Sequence, residues 1–114
     1  MQQQRYDEAA ASAEAALKNN PQMPQLLNTL GQVSMINREY DKAVKYFLAA
    51  INSDPDSPTY YANAAMALAQ IGKYELAYQN MSMSAARTPD SQRQKAQGFM
   101  DQMKKLSARN AKSK

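Results

Sequence analysis

The sequence contains no cysteine, no histidine and no tryptophan. Without cysteine it cannot form disulfides, thiolate zinc sites or a thiol nucleophile, and without histidine it lacks the usual general base and imidazole metal ligand. Its apolar stretches are only a few residues long, whereas a transmembrane helix needs roughly 20. These absences predict a soluble protein without a cofactor, in either the cytoplasm or the periplasm.

The acidic residues do not suggest a catalytic pair. Asp54 and Asp56 flank Pro55, and acidic side chains in such a turn commonly accept hydrogen bonds from the nearby backbone. The sequence shows no other combination of nucleophile, acid and metal ligands. We therefore predict that the protein is not an enzyme.

Charge is distributed unevenly along the chain, whose formal net charge is +4. Residues 1–57 carry 5 Lys and Arg against 7 Asp and Glu, and residues 58–114 carry 9 against 3. The last eleven residues, KKLSARNAKSK, contain five basic residues and no acidic one. Such a segment can attract acidic proteins or phosphates weakly, but we favour a solvated tail.

One constant spacing runs through the sequence, and we call it the repeat period. This period is 34 residues, which is the distance from Tyr6 to Tyr40 and from Tyr40 to Tyr74. The period relates a tyrosine, two small residues and a proline in each of three copies. The recurring positions are Tyr6, Tyr40 and Tyr74; Ala9, Ala43 and Ala77; Ala16, Ala50 and Ser84; and Pro21, Pro55 and Pro89. Four sets of residues that recur at the same spacing indicate a tandem repeat.

Each repeat contains two segments with helical periodicity, because apolar residues three and four positions apart form a stripe on one face. Pro24 and Pro58 suit the first turn of a helix. Asn37 and Gly72 are expected to take the backbone out of helical geometry between the two helices. The pattern predicts helices over residues 2–19, 24–36, 40–53, 58–71, 74–87 and 90–108, and no strand.

Small residues are expected where the helices cross. Gly31 and Ala65 should face the partner helix of their own hairpin, and Ala43 and Ala77 should let the two backbones approach closely. A bulky residue at such a crossing should cost roughly 1–3 kcal/mol through overpacking. These positions are therefore interpreted as structural.

This arrangement resembles the tetratricopeptide-repeat family. The resemblance rests on Leu-Gly or Ala-Ala in the first helix, a tyrosine that opens the second, alanines after it and a closing proline, in LNTLGQVSMINREYDKAVKYFLAAINSDP and YANAAMALAQIGKYELAYQNMSMSAARTP. It implies an all-α fold in which about six helices form a right-handed superhelical stack of antiparallel helix-turn-helix hairpins, with a C-terminal capping helix. It also implies protein–protein interaction, although the fold alone does not specify a partner.

The resemblance divides the chain into segments. Residues 1–23 correspond to the second helix of an incomplete repeat, 24–57 and 58–91 to complete repeats, 90–108 to a capping helix, and 109–114 to a basic disordered tail. We expect the incomplete repeat to belong to a longer array, and the alternative is a lone helix that caps the stack. The alanine-rich face of that helix could then support self-association.

In this family the first helix of each hairpin lines the concave surface, which places a candidate peptide groove. Carboxamides and thioethers dominate the predicted lining. Amide side chains both donate and accept hydrogen bonds, and methionine adapts to varied apolar side chains. The predicted groove residues are Gln25, Asn28, Gln32, Met35, Asn63, Met66, Gln70, Arg93, Gln97 and Met100.

One subfamily clamps the acidic C-terminal tails of heat-shock chaperones with lysine, asparagine and arginine side chains. The corresponding positions here are Asn28, Gln32, Asn63, Arg93 and Gln97. Of these, only Asn63 matches in identity and Arg93 in charge. So few cations could not offset the desolvation of bound carboxylates, and chaperone-tail binding is disfavoured.

The sequence therefore predicts a scaffold that binds a peptide or a partner protein, as a fragment of a larger protein. Two alternatives stay open: a small secretion-type chaperone built on about three such repeats, and a nucleic-acid-binding repeat module that uses the basic C-terminal half. We disfavour nucleic acid because Tyr61 and Tyr74 have expected core roles, which leaves few rings for base stacking.

Overall fold

The computed structural model describes residues 2–112, with side chains over residues 3–110. Within that range it contains six α-helices and no strand. The helices are α1 (Gln2–Asn19), α2 (Pro24–Ile36), α3 (Tyr40–Ser53), α4 (Pro58–Gln70), α5 (Tyr74–Ala86) and α6 (Gln94–Lys112), and a short 3₁₀ helix (Asp90–Gln92) precedes α6. The prediction of an all-α fold with about six helices is confirmed.

The helices stack in chain order, because each packs against the next one along the chain. α2 and α3 form one antiparallel hairpin, and α4 and α5 form the next. Both hairpins begin at a proline, whose missing N–H leaves no donor unsatisfied in the first turn. The radius of gyration is 14.9 Å, whereas about 13 Å is expected of a compact domain of this length. The predicted stack of hairpins is therefore confirmed.

Small residues form much of the core. Ala43, Ala64 and Ala77 have no exposed surface, and Phe47 is the largest fully buried side chain. These four residues lie in one apolar cluster. A Cβ built on Gly31 would lie within 2.6 Å of Phe47 Cδ1. The crossing of α2 and α3 therefore has no room for any side chain at position 31.

Both hairpin turns close through a residue in the left-handed conformation, which commonly ends a helix. After α4 this residue is Gly72, with φ of 80°, and its N–H donates to the carbonyl of Ala69. After α2 it is Arg38, with φ of 60°, and its N–H donates to the carbonyl of Met35. The prediction for Gly72 is confirmed. The prediction for Asn37 is also confirmed, because Asn37 is the C-cap of α2, with φ of −82° and ψ of 3°, and stands one position before the left-handed residue.

The repeat spacing changes before the last helix. α2 begins at Pro24 and α4 begins one repeat period later, at Pro58. α6 begins two positions later than the same period predicts, at Gln94, because the 3₁₀ helix intervenes. Two added residues rotate each side chain of α6 by roughly 200° relative to a strict repeat.

Several element ends differ from the prediction. The helix expected over 90–108 spans Gln94–Lys112. Residues 109–112, expected in a disordered tail, are helical, and residues 113–114 lie outside the described range. α4 and α5 each end one residue earlier than expected.

α6 covers the last hairpin with one apolar face. Its packed residues are Ala96, Phe99, Met100, Met103 and Leu106. The opposite face exposes Gln97, Asp101 and Lys104, and Gln97 Nε2 donates to Asp101 Oδ1 at 3.0 Å. A polar outer face of this kind allows a repeat stack to end in water.

We expect Gly31→Ala to lower the free energy of unfolding by about 1–2 kcal/mol, because the overlap with the Phe47 ring outweighs a helix-propensity gain of about 1 kcal/mol. In the next hairpin Ala65 packs in one cluster with Met81, so Phe47→Met in the Gly31→Ala background should recover part of the loss. Equilibrium urea denaturation measures both effects. Gly98→Ala is the control, because a Cβ at that position meets nothing within 4 Å. An equal gain in the free energy of unfolding for Gly31→Ala and Gly98→Ala would contradict the close crossing of α2 and α3.

We expect Arg38→Gly to raise the free energy of unfolding by about 1 kcal/mol, because the left-handed conformation is unfavourable for residues with a Cβ. The corresponding rise in melting temperature is about 4 °C, measured by circular dichroism. Gly72→Ala is the reverse change at the equivalent turn and should lower the melting temperature. A loss of stability in Arg38→Gly would show instead that the arginine side chain stabilises the turn.

Candidate binding groove

An open groove of about 570 Å³ lies where α1, α2 and α4 meet. This volume falls within the range of clefts that hold ligands. None of the ten residues that line the groove is charged. They are Tyr6, Ala9, Thr29, Gln32, Val33, Met35, Ile36, Phe47, Asn63 and Met66.

The structure brings part of the predicted groove together. Two predicted residues from α2 and two from α4 line it: Gln32, Met35, Asn63 and Met66. Four more are exposed or half-buried outside it: Gln25, Asn28, Gln70 and Gln97. The remaining two predicted residues, Arg93 and Met100, contribute to the fold instead.

A hydrogen bond joins the first helices of the two complete hairpins beside the groove. Asn63 Nδ2 donates to Asn28 Oδ1 at 2.8 Å, in a half-buried position. This bond fixes the orientation of the Asn63 carboxamide, whose oxygen can accept a further hydrogen bond. Asn63 can therefore receive a backbone N–H from a segment bound in the groove.

Two apolar side chains at the groove remain in contact with water. Ile36 is 46% exposed and Met66 is 42% exposed. Full burial of such a side chain contributes about 1.5–3 kcal/mol. A ligand that covers both side chains therefore gains favourable free energy, while the amides at the edge orient it.

The rings of Tyr60 and Tyr61 are committed to the fold. Tyr60 is buried, and this burial, followed by the negative charge of Asp54, raises the pKa of its phenol. Tyr61 donates a hydrogen bond to the carbonyl of Pro55 at 2.9 Å, and its ring packs beneath the Arg87 guanidinium. Neither ring is available as a platform for base stacking.

The predicted set omits the α1 side of the groove. Tyr6 and Ala9 line it, but the prediction considered only the first helix of each hairpin. The repeat contains the missing signal, because Ala9 corresponds to Ala43, which is fully buried. Since residues 2–19 have no preceding helix in the described chain, their equivalent face is open.

Arg93 closes the end of α5. Its Nε donates to the carbonyls of Ala85 at 2.7 Å and Thr88 at 2.8 Å, and its guanidinium pairs with Asp90. A cation at a helix C-terminus satisfies carbonyls that lack partners and complements the helix dipole. Arg93 therefore stabilises the fold and is not among the residues that line this groove.

Met100 belongs to the core. It is 8% exposed and clusters with Ala65, Met81 and Ala85. The prediction placed it in the groove by assuming a constant repeat period, which the 3₁₀ helix interrupts. The assignment of Met100 to the groove is therefore wrong.

Neither a metal-binding cluster nor a membrane-spanning helix occurs among the described residues. Residues 2–112 contain no group of three or more carboxylates that could hold a metal ion. Across the same stretch, none of the helices is long and apolar enough to cross a membrane. The groove is therefore the site on which the functional proposal rests.

The sequence profile of the tetratricopeptide repeat matches residues 1–58 and again residues 37–91. The chain belongs to the tetratricopeptide-repeat family. The two matches overlap over residues 37–58, which contain α3. This overlap reflects the internal repeat, because α3 can match either the last helix of one copy of the profile or the first helix of the next. Together they include α1 to α5 of this tetratricopeptide-repeat protein.

Solved structures share the fold at low sequence identity. The first TPR of Spaghetti (RPAP3), bound to the HSP90 peptide SRMEEVD, superposes with a TM-score of 0.84 at 16% identity, over 94% of this chain and 83% of that chain. The Yersinia enterocolitica type III secretion chaperone SycD, in complex with a peptide of the translocator YopD, superposes with a TM-score of 0.81 at 17% identity, over 90% of this chain and 82% of that chain. PcrH in complex with the chaperone-binding region of PopD superposes with a TM-score of 0.77 at 17% identity, over 96% of this chain and 84% of that chain.

We expect Arg93→Lys to lower the free energy of unfolding by about 1 kcal/mol, because lysine keeps the charge but loses the Nε donor to two carbonyls. Chemical denaturation measures the loss. Arg5→Lys is the control, since Arg5 is exposed on α1 and should leave stability unchanged. Affinity for groove ligands should not change in Arg93→Lys, and a selective loss of affinity would restore Arg93 to the binding site.

Proposed function

We propose that this chain is a non-catalytic interaction module that binds a segment of a partner protein in the groove between α1, α2 and α4. The observation that carries the proposal is the uncharged lining, in which the exposed Ile36 and Met66 stand beside the carboxamides of Gln32 and Asn63. Amides satisfy backbone groups and the apolar side chains favour an apolar segment.

The proposal is supported by structures of the same fold with bound polypeptides. SycD holds a peptide of the translocator YopD, and the first TPR of Spaghetti holds an HSP90 peptide. Each shares most of its length with this chain, at TM-scores of 0.81 and 0.84. A polypeptide ligand is therefore the natural class for the present groove as well.

The chemistry of the lining favours an apolar ligand over an acidic one. The peptide SRMEEVD carries carboxylates, and carboxylates need cationic partners when they lose water. No lining residue of this groove is cationic. We therefore infer that the ligand presents aliphatic or aromatic side chains. The same lining disfavours nucleic acid as the ligand of this groove, since phosphates require Lys and Arg.

A second candidate is a small secretion-type chaperone. It is favoured by the likeness to SycD and PcrH, each solved with a segment of its client. In that case the bound segment would also be an apolar part of a client protein. The two candidates share the groove and differ in the fate of the ligand.

Selection of random twelve-residue peptides on the full chain tests the groove. Selected peptides should be rich in apolar residues, and Met66→Arg should weaken them at least tenfold, equivalent to about 1.4 kcal/mol, because an unpaired guanidinium would enter an apolar surface. Fluorescence anisotropy with synthetic peptides measures the affinities.

Leu48→Arg is the matched control for that experiment. Leu48 lies on α3, lines no part of the groove and is 44% exposed, which is close to the 42% of Met66. It should leave affinity unchanged, while circular dichroism checks that both variants keep their helices. Equal weakening by both variants, or no weakening by Met66→Arg, would remove the groove from the proposal.

A further inference from the structure

Methionine is the only sulfur-containing residue of this chain, which has eight methionines and no cysteine. A peroxide that reaches the protein therefore meets no thiolate, and the thioethers are its targets. Two of the methionines, Met35 and Met66, line the groove between α1, α2 and α4. The surface that is proposed to hold a ligand thus contains side chains that can be oxidised.

The methionines differ in their access to water. Three are exposed to a nearly equal extent, at 43%, 42% and 42%: Met23, Met66 and Met83. Three others pack in the apolar core: Met81, Met100 and Met103. Peroxide reaches an exposed thioether directly, but it reaches a buried one only when the surrounding structure opens. Of the three exposed methionines, Met66 lines the groove and the other two do not.

We propose that Met66 is a redox-sensitive site, at which oxidation of the thioether to the sulfoxide by hydrogen peroxide releases the segment bound in the groove. The proposal rests on the proposed function and adds a means of regulating it. A lone pair on Met66 Sδ attacks one peroxide oxygen, so that an S–O bond forms and the O–O bond breaks. Sulfur is oxidised and the peroxide is reduced. The proton of the transferred oxygen passes to the leaving hydroxide, which becomes water.

The groove has few free hydrogen-bond donors to receive a new oxygen on Met66. Asn63 precedes Met66 by one turn of α4, so the two side chains are neighbours on one face of the helix. Asn63 Nδ2 already donates one hydrogen bond, to Asn28 Oδ1 at 2.8 Å. The hydroxyl of Thr29 donates to the carbonyl of Gln25 at 2.9 Å. Both groups are therefore at least partly committed to the fold.

Oxidation changes what Met66 offers to a ligand. The thioether is flexible and apolar, whereas the sulfoxide carries a polar oxygen. If a ligand covers that oxygen without giving it a donor, a buried polar group is left unsatisfied and opposes binding. If the oxygen instead accepts from the carboxamides of Gln32 or Asn63, those donors are lost to the ligand. Both arrangements weaken the complex.

The change at Met66 can be reversed without unfolding. A methionine sulfoxide reductase returns the sulfoxide to the thioether, while thiols are oxidised to a disulfide and the oxygen leaves as water. The core methionines do not take part, since they are buried. Occupancy of the groove then follows the balance between peroxide and thiol reductant.

The test compares the full chain before and after treatment with hydrogen peroxide, which catalase removes before affinity is measured. The probe is the tightest twelve-residue peptide, selected on the unmodified chain, that contains neither methionine nor cysteine. Fluorescence anisotropy should show binding about tenfold weaker after oxidation. Methionine sulfoxide reductases with dithiothreitol should restore the affinity. Peptide mapping by mass spectrometry should find sulfoxide at Met66 and none at the core methionines.

Substitution by leucine identifies the responsible methionine, because leucine is apolar, similar in volume and inert to peroxide. Each variant is compared with itself before and after oxidation, so that any effect on basal affinity cancels. Met66→Leu should lose no affinity on oxidation. Met83→Leu is the matched control, since Met83 is equally exposed and lies on α5 outside the groove lining. It should weaken on oxidation as much as the unsubstituted chain.

Two further measurements test the same site. Met66→Gln places a polar amide at the end of a side chain of similar length, so it should weaken peptide binding without any peroxide. A saturating concentration of peptide should slow the formation of sulfoxide at Met66, because the ligand covers it. The rate at Met83 should not change, because Met83 lies outside the groove lining.

The outcomes distinguish this inference from the proposed function. If the unmodified chain selects no peptide, both are overturned. If peptides bind and remain sensitive to Met66→Arg but peroxide does not change their affinity, the groove stands and the redox site is overturned. A loss of affinity on oxidation that persists in Met66→Leu assigns the effect to another methionine, such as Met35, and overturns the assignment to Met66. A loss that accompanies sulfoxide at the core methionines, or loss of helical circular dichroism, attributes the effect to unfolding and also overturns the inference.

Discussion

The close contact between Gly31 and the Phe47 ring sets the distance between α2 and α3, and the rest of the stack follows from crossings of this kind. Ala43, Ala64 and Ala77 have no exposed surface, so the helices approach one another through small residues. Because every crossing needs a small residue on at least one helix, the repeat period is maintained by packing. A shift by one residue would turn a large side chain into the crossing.

The fold could be predicted because its determinants are local and recur. Prolines at the start of α2 and α4 and small residues at fixed spacing identify the hairpins without any knowledge of distant contacts. Errors arise where one copy departs from the others. Arg38 takes the left-handed conformation that Gly72 takes at the equivalent position, and an arginine gives no compositional signal for that conformation. The 3₁₀ helix before α6 gives no periodic signal, and it displaces the register of every residue that follows.

The difference between regions that keep the repeat spacing and regions that depart from it also explains which groove residues could be predicted. Gln32, Met35, Asn63 and Met66 lie on helices that keep the repeat spacing, and their positions followed from it. Met100 lies beyond the irregular turn and was therefore assigned to the wrong face. Tyr6 and Ala9 were omitted for another reason. Among the described residues no helix precedes α1 to cover them, and the residues of α1 themselves closely resemble those of helices whose equivalent face is buried.

The groove therefore depends on the least anchored helix of the stack. Within residues 3–19, Ala13 is the only buried side chain, whereas α2 to α5 each bury several. Helices with few buried contacts open at low free energy. A ligand that packs on Tyr6 and Ala9 binds only when α1 is docked on the stack, so it stabilises the docked state of α1. This stabilisation increases with the ratio of the ligand concentration to the dissociation constant. Occupancy of the groove and order at the N-terminal end of the stack are consequently coupled, because the same helix supplies both.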